Sequence, residues 1–129
     1  MDRHRAAEWL ARYVRAWESS DREAIEDLFS DDIEYRYHPA DDPVVGRDAV
    51  VDSWLEDPDS PGTFEGEYEP FAVEGDRVVA IGWSRYFGDA ARTSVRAVYD
   101  NIFAMEFDSA GRCRRFTEWF RERGASDLN

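Results

Sequence analysis

Residues 92–107 frame the whole sequence. Val95, Ala97, Tyr99, Asn101, Phe103, Met105 and Phe107 share one parity there, the period of a long strand with one apolar side. Similar segments precede it. Residues 77–88, rich in Val, Ile, Trp and Tyr, follow the turn Glu74-Gly75-Asp76, and residues 64–73 carry Glu65, Glu67 and Glu69 on one wet side. Gly88-Asp89-Ala90-Ala91 reads as a loop. Asp108-Ser109-Ala110-Gly111 is a hairpin turn into a last strand from about Arg112 to Arg121. A run of strands joined by short connections builds antiparallel sheet, so the helices must come from the chain before residue 64.

They are legible there. Trp9, Tyr13 and Trp17 recur at i, i+4 and i+8, with Ala6, Leu10 and Val14 on the same stripe, which predicts a helix over 3–18. Ser20-Asp21-Arg22-Glu23 has the form of a capping box. It predicts a short second helix that carries Ile25, Leu28 and Phe29 inward and is ended by Ser30-Asp31-Asp32. Ile33, Tyr35 and Tyr37 alternate with Glu34, Arg36 and His38 as a strand, broken by Pro39 and Pro43. Gly46-Arg47-Asp48 leads into a third helix, about 48–56, with Val50, Val51, Trp54 and Leu55, stopped by Pro58 and Pro61-Gly62. Helices first and strands after is an α+β pattern. Three helices cannot cover both faces of a large sheet. The expected architecture is therefore three N-terminal helices packed on a strongly curved, mostly antiparallel sheet, a cone with an internal pocket where sheet and first helix diverge. The 129 residues make one domain, with an ordered core over about 3–123 and a frayed tail after Gly124.

Charge and composition narrow the function. Acids number 29 and bases 16, a net charge of -13, which argues against a phosphate-neutralising nucleic-acid surface and against attraction to anionic lipid. No run of about 18 apolar residues offers a membrane span, and Met1-Asp2-Arg3-His4-Arg5 lacks the apolar stretch of a signal peptide. Every base is Arg and there is no Lys. A high-salt cytoplasm selects such a composition, because an acidic surface stays soluble when salt screens it; a GC-rich genome also replaces Lys with Arg. The single cysteine, Cys113, forbids an intrachain disulfide, suits a reducing cytoplasmic setting and reads as an inert core thiol. Asp31-Asp32 and Asp41-Asp42 lack the ligand spacing of a metal loop, and the glycine motifs of phosphate and dinucleotide sites are missing, so neither metal nor cofactor is expected.

Alternation decides which side chains meet inside the cone. Tyr35 and Tyr37 go in together. Trp83 takes Ile81, Arg85 and Phe87 with it, Phe103 takes Tyr99 and Asn101, and Phe116 takes Glu118 and Phe120. The expected interior is aromatic walls around Tyr35, Tyr37, Arg85, Asn101 and Glu118, the form of a small-molecule pocket. Glu118, between Phe116 and Phe120, is the candidate general base, its pKa raised by desolvation; alternatively it forms a structural ion pair with Arg85. Arg85 is read either as an anchor for a substrate carboxylate or phosphate or as the other half of that pair. The full expected ligand set is Tyr13, Trp17, Tyr35, Tyr37, Trp54, Trp83, Arg85, Tyr99, Asn101, Phe103, Phe116, Glu118 and Phe120. His38 has the opposite parity and reads as a rim residue. The remaining parity set, Ala80, Gly82, Ser84, Tyr86, Val98, Ile102 and Ala104, is too apolar for a wet face and predicts a homodimer through the outer sheet face.

Three stretches carry a family likeness. They are Ile33-Glu34-Tyr35-Arg36-Tyr37-His38-Pro39 followed by Val45-Gly46-Arg47-Asp48-Ala49-Val50, the strand Tyr99 to Phe107, and the ending Arg115-Phe116-Thr117-Glu118-Trp119-Phe120. In order and spacing the chain resembles, over nearly its whole length, the SnoaL-like branch of the nuclear-transport-factor-two-like superfamily. The resemblance implies a mixed sheet, and function as a small soluble pocket protein. Such a protein binds, and isomerises, hydrates or hydrolyses, a small apolar molecule with a polar or anionic group by cofactor-free general acid/base chemistry. The alternative is a non-catalytic dimerisation or protein-interaction domain with a filled interior. Members often pair through the outer sheet face. Against the superfamily's epoxide-hydrolase pattern, Tyr35 matches the Tyr, Arg85 the Arg and Glu118 one acid, which makes these three the catalytic candidates. Tyr37 and Phe87 stand where that pattern has its Asn and its second acid.

Overall fold

A computed structural model describes residues 1–124; the tail expected to fray lies outside the described residues. Helix α1 spans Arg3–Ser19. Asp2 caps it by accepting the Arg5 N–H at 2.8 Å. It ends at Ser20, left-handed at φ 54°, whose N–H bonds the Ala16 carbonyl. Ser20 thus closes α1 instead of opening the next helix, and the expected capping box does not form. Asp21 stands before the short α2, Arg22–Glu26, with no side-chain cap bond.

Leu28 and Phe29 are fully buried, yet not on a helix. Phe29 already opens β1, Phe29–Arg36, and Ser30–Asp32 run in that strand rather than ending α2. Long-range pairing overrides the local signal here: Phe29 is in register with Cys113, whose N–H bonds the Leu28 carbonyl at 2.9 Å. The proline-broken segment that follows includes a short strand β2, Val44–Val45, paired with Glu34 and Tyr35. Helix α3 is Arg47–Leu55, and β3 to β6 are Phe64–Glu74, Arg77–Phe87, Val95–Phe107 and Cys113–Glu122. Strand β5 starts at Val95 rather than 92 because the Asp89 carboxylate takes the Thr93 and Ser94 N–H groups and the Thr93 hydroxyl, holding a loop.

The six strands form one curved, open sheet in the order β2-β1-β6-β5-β4-β3, antiparallel except for the parallel β1/β6 pair. The α+β architecture with helices on a mixed sheet is as expected. The core lies between α1, α3 and the inner sheet face. Trp9 meets Phe29 and Phe107 edge-on and donates its indole N–H to the Leu28 carbonyl at 3.0 Å. Tyr13, Phe103 and Phe116 pack together beside it.

One expected facing is reversed. On β4 the inner side carries Val78, Ala80, Gly82, Ser84 and Tyr86, while Ile81, Trp83 and Arg85 face out. The register makes this plain, since Ala80 pairs with Phe103 and Ile81 with Ile102. The cause is Gly82, opposite Tyr68. A Cβ there would come within 2.1 Å of the Glu67 carbonyl oxygen and 2.5 Å of the Tyr68 ring. The inner side of β4 is built small so that β3 can lean over it, and the bulky Trp83 goes out. Phe87 is buried nonetheless, after a bulge between Tyr86 and Phe87. Of the set expected outside, Val98, Ile102 and Ala104 keep that side by register, whereas Ala80, Gly82, Ser84 and Tyr86 do not.

Candidate functional site

An internal cavity of about 270 Å³ opens where the sheet parts from α1. Helix α1 supplies Tyr13 and Trp17, β1 and the turn after it Tyr35 and Tyr37, and β3 Phe64 and Tyr68. Ser84 and Tyr86 come from β4, Arg96, Tyr99 and Asn101 from β5, and Glu118 and Phe120 from β6. The chain has six tyrosines, and all six line this one cavity. A composition feature spread over five elements thus converges on a single place.

Glu118 is the one carboxyl in the wall. A chain of hydrogen bonds crosses three strands to reach it. The Ser84 hydroxyl donates to Asn101 Oδ1 at 3.0 Å, and Asn101 Nδ2 donates to Glu118 Oε2 at 2.6 Å. Ser84 fixes which end of the amide faces the acid. Burial pushes the Glu118 carboxyl up from the usual glutamate value to about 7, against the pull of the Asn101 bond, which favours the anion. The side chain is part-buried, because solvent still enters through the mouth. Burial also raises the pKa of all six phenols, most strongly at Tyr13, Tyr35, Tyr68 and Tyr86. They therefore stay neutral O–H donors near pH 7, leaving Glu118 as the wall's group poised to accept or give a proton there.

The second layer holds this wall in place. The Tyr37 hydroxyl and Ser53 Oγ are 2.8 Å apart. Tyr35 stacks flat on Phe116, with 4.4 Å between ring centroids. At the mouth, Arg96 lies 5.3 Å over the Tyr86 ring and 3.9 Å from Asp59, which also accepts the Trp17 indole N–H at 3.0 Å. The buried Trp54 N–H has no hydrogen bond of normal geometry, although it lies close enough to Tyr35 to favour that phenolate slightly.

Eight of the residues expected to bind ligand line the cavity: Tyr13, Trp17, Tyr35, Tyr37, Tyr99, Asn101, Glu118 and Phe120. Trp54, Phe103 and Phe116 are buried behind it. Trp83 and Arg85 are not there. Arg85 sits on the outer face, 5.1 Å over the Trp83 ring and 2.6 Å from Glu65, so the expected Arg85–Glu118 pair does not exist. His38 is at the rim, 4.9 Å from Phe120. Phe64, Tyr68, Ser84, Tyr86 and Arg96 were not foreseen. Phe64 and Tyr68 had a signal, the parity opposite Glu65, Glu67 and Glu69; Ser84 and Tyr86 had none without the β4 register. Cys113 is a buried thiol with its pKa pushed up and donates to the Arg115 carbonyl, inert as read. Among the described residues, no cluster of His, Cys, Asp and Glu is placed to hold a metal.

A larger, shallower hollow of about 640 Å³ lies on the outer sheet face, lined by residues that include Glu67, Glu69, Ile81, Trp83, Ile102, Trp119 and Arg121. Its carboxyl residues, Glu67, Glu69 and Asp100, are all exposed. The interior cavity is the smaller of the two and has a part-buried carboxyl, Glu118, in its wall.

Residues 10–122 match the family described as the SnoaL-like domain. Among solved structures, a nuclear-transport-factor-2-like protein of unknown function from Burkholderia xenovorans LB400 superposes with a TM-score of 0.70 at 21% identity, covering 94% of this chain and 86% of that one. An LEH-like epoxide hydrolase from M. tuberculosis gives 0.66 at 14% identity, covering 97% and 86%. At such identities the likeness is one of fold. No curated protein sequence matches significantly.

Proposed function

We propose a function on one premise: the chain belongs to the SnoaL-like domain family. The cavity takes in a small, largely apolar molecule bearing one polar group, and Glu118 moves a proton on it without a cofactor. Isomerisation, hydration and hydrolysis all need such a step. The observation that carries this reading is a part-buried carboxyl inside an aromatic cavity, oriented by a neutral amide, with burial pushing its pKa up to about 7. Arg85 has no part in it, so the epoxide-hydrolase pattern loses its Arg as well as one acid and the Asn, and likeness to that neighbour carries no activity across. A lone buried cysteine suits a reducing compartment, and with it the cytoplasm.

The test is a carboxyl titration of Glu118 by ¹³C NMR. A midpoint near 7 is expected. Asn101→Leu removes the bond that favours the anion and should raise the midpoint by about one unit or more. A wild-type midpoint near 4.5 would sink the proton-transfer reading.

The outer face favours a second copy of the chain as partner. Ile102 and Trp119 are exposed there beside Trp83 and Ile81. Glu67 and Glu69 lie on the β3 side and Arg121 on the β6 side. A twofold axis running along the strands between β4 and β5 would set the acidic side of one copy on the basic side of the other. Light scattering should give twice the 15.0 kDa chain mass, and Arg121→Glu should shift the population toward monomer. A monomeric wild type at both low and high salt would reject the dimer.

A further inference from the structure

The cavity holds an acid without a counter-ion. Among the described residues no arginine forms an ion pair with Glu118; its hydrogen-bond partner is the uncharged amide of Asn101. The cation expected to pair with it, Arg85, is bonded to Glu65 on the opposite face of the sheet. Arg96, at the mouth, is largely solvent-exposed and is matched by Asp59. A buried carboxylate is unfavourable unless something positive meets it. The walls offer the other half of a cation site, because phenol and indole faces carry the negative end of the ring quadrupole. Arg96 already shows that attraction, lying 5.3 Å over Tyr86.

We infer that the polar group this cavity accepts is a positive one, an organic ammonium ion on a small apolar body, with its nitrogen between Glu118 and the tyrosine faces. This rests on the cavity being a ligand pocket, as proposed above, and it reverses the anion expected when Arg85 was placed inside. An anion would face Glu118 and a net charge of -13. A neutral ligand would leave the carboxylate unpaired. The same net charge draws cations toward the mouth from outside.

Three near-isosteric probes separate the cases: phenyltrimethylammonium, tert-butylbenzene and benzenesulfonate, titrated by calorimetry at pH 8 in 0.15 M salt. The cation should bind at least about tenfold more tightly than tert-butylbenzene, and benzenesulfonate least. In Glu118→Gln the preference for the cation should fall below about threefold. A second readout is proton release. At pH 7 the cation should release a fraction of a proton to the buffer, from Glu118. Its other neighbours in the wall (Asn101, Ser84 and the phenols) are neutral, and Arg96, Asp59 and His38 stand at the mouth and rim, so the release should vanish in Glu118→Gln. Tighter binding of tert-butylbenzene than of the cation would overturn the cation inference and leave the pocket standing. So would a full cation preference in Glu118→Gln, which would trace it to the acidic surface. If none of the three binds, the inference and the pocket reading both fall.

Discussion

On the proton-transfer role proposed above, Glu118→Gln should lower turnover by about 10²–10⁴-fold, the usual worth of a general base, and at the same time make the protein more stable above pH 7. Both follow from one raised pKa. The folded carboxyl titrates at about 7 and the unfolded one near 4.5, so between those values the native state binds more protons than the unfolded chain. Stability contributed by the protonated acid is fully present below about 4.5, declines as pH rises through the window and is gone above 7. The size of the decline is about 1–3 kcal/mol, allowing for the water that reaches the cavity. Gln cannot ionise, yet it still accepts the Asn101 amide. Urea unfolding at pH 5, 7 and 8.5 should therefore show a gap that opens in favour of the variant as pH rises. A variant less stable than wild type at pH 8.5 would mean that the carboxylate is held by something favourable, and Glu118 would become a structural residue.

Gly82→Ala should cost about 3 kcal/mol or more, at the upper end of what overpacking does. The added methyl would meet the Glu67 carbonyl oxygen at 2.1 Å and the Tyr68 Cα at 2.8 Å, and backbone atoms cannot rotate out of the way. Strand β3 must instead lift off β4 and carry Tyr68 out of the cavity wall. Against a typical domain stability of roughly 5–15 kcal/mol this is a large fraction. Urea midpoints for wild type and variant measure it. A loss under about 1 kcal/mol would show that β3 and β4 part easily, and that Gly82 is not what sets the facing of β4.

That glycine also explains where the sequence misleads. Each strand's period is local, so the alternation of Tyr35 with Tyr37, of Tyr99, Asn101 and Phe103, and of Phe116, Glu118 and Phe120 was legible, and so was Glu118 as the central acid. Which of two parities faces inward is not local. On β4 a tryptophan on one parity and glycine, serine and alanine on the other suggest that Trp83 is core. The close approach of β3 at Gly82 forces the opposite choice and takes Arg85 with it. The overshoot of α2 has a similar origin: Leu28 and Phe29 are apolar and buried as expected, but the partner that recruits them into a strand is Cys113, far along the chain. Helix α1 and the hairpin at Asp108 depend only on neighbours in sequence and came out as read.

The parallel pairing of β1 with β6 bears on when the site comes into being. Phe29 and Tyr35 find their sheet partners in Cys113 and Phe116, so during synthesis β1 emerges long before the strand that covers its edge. Pairing across such a separation is slow, because the intervening chain must be closed into a loop first. Until β6 docks, the inner sheet face lacks one of its walls and Glu118 is an ordinary solvated glutamate, ionised at neutral pH. The unusual acid is thus a product of completed folding. A complete chain whose β6 has not yet docked carries every residue of the cavity but not the raised acid.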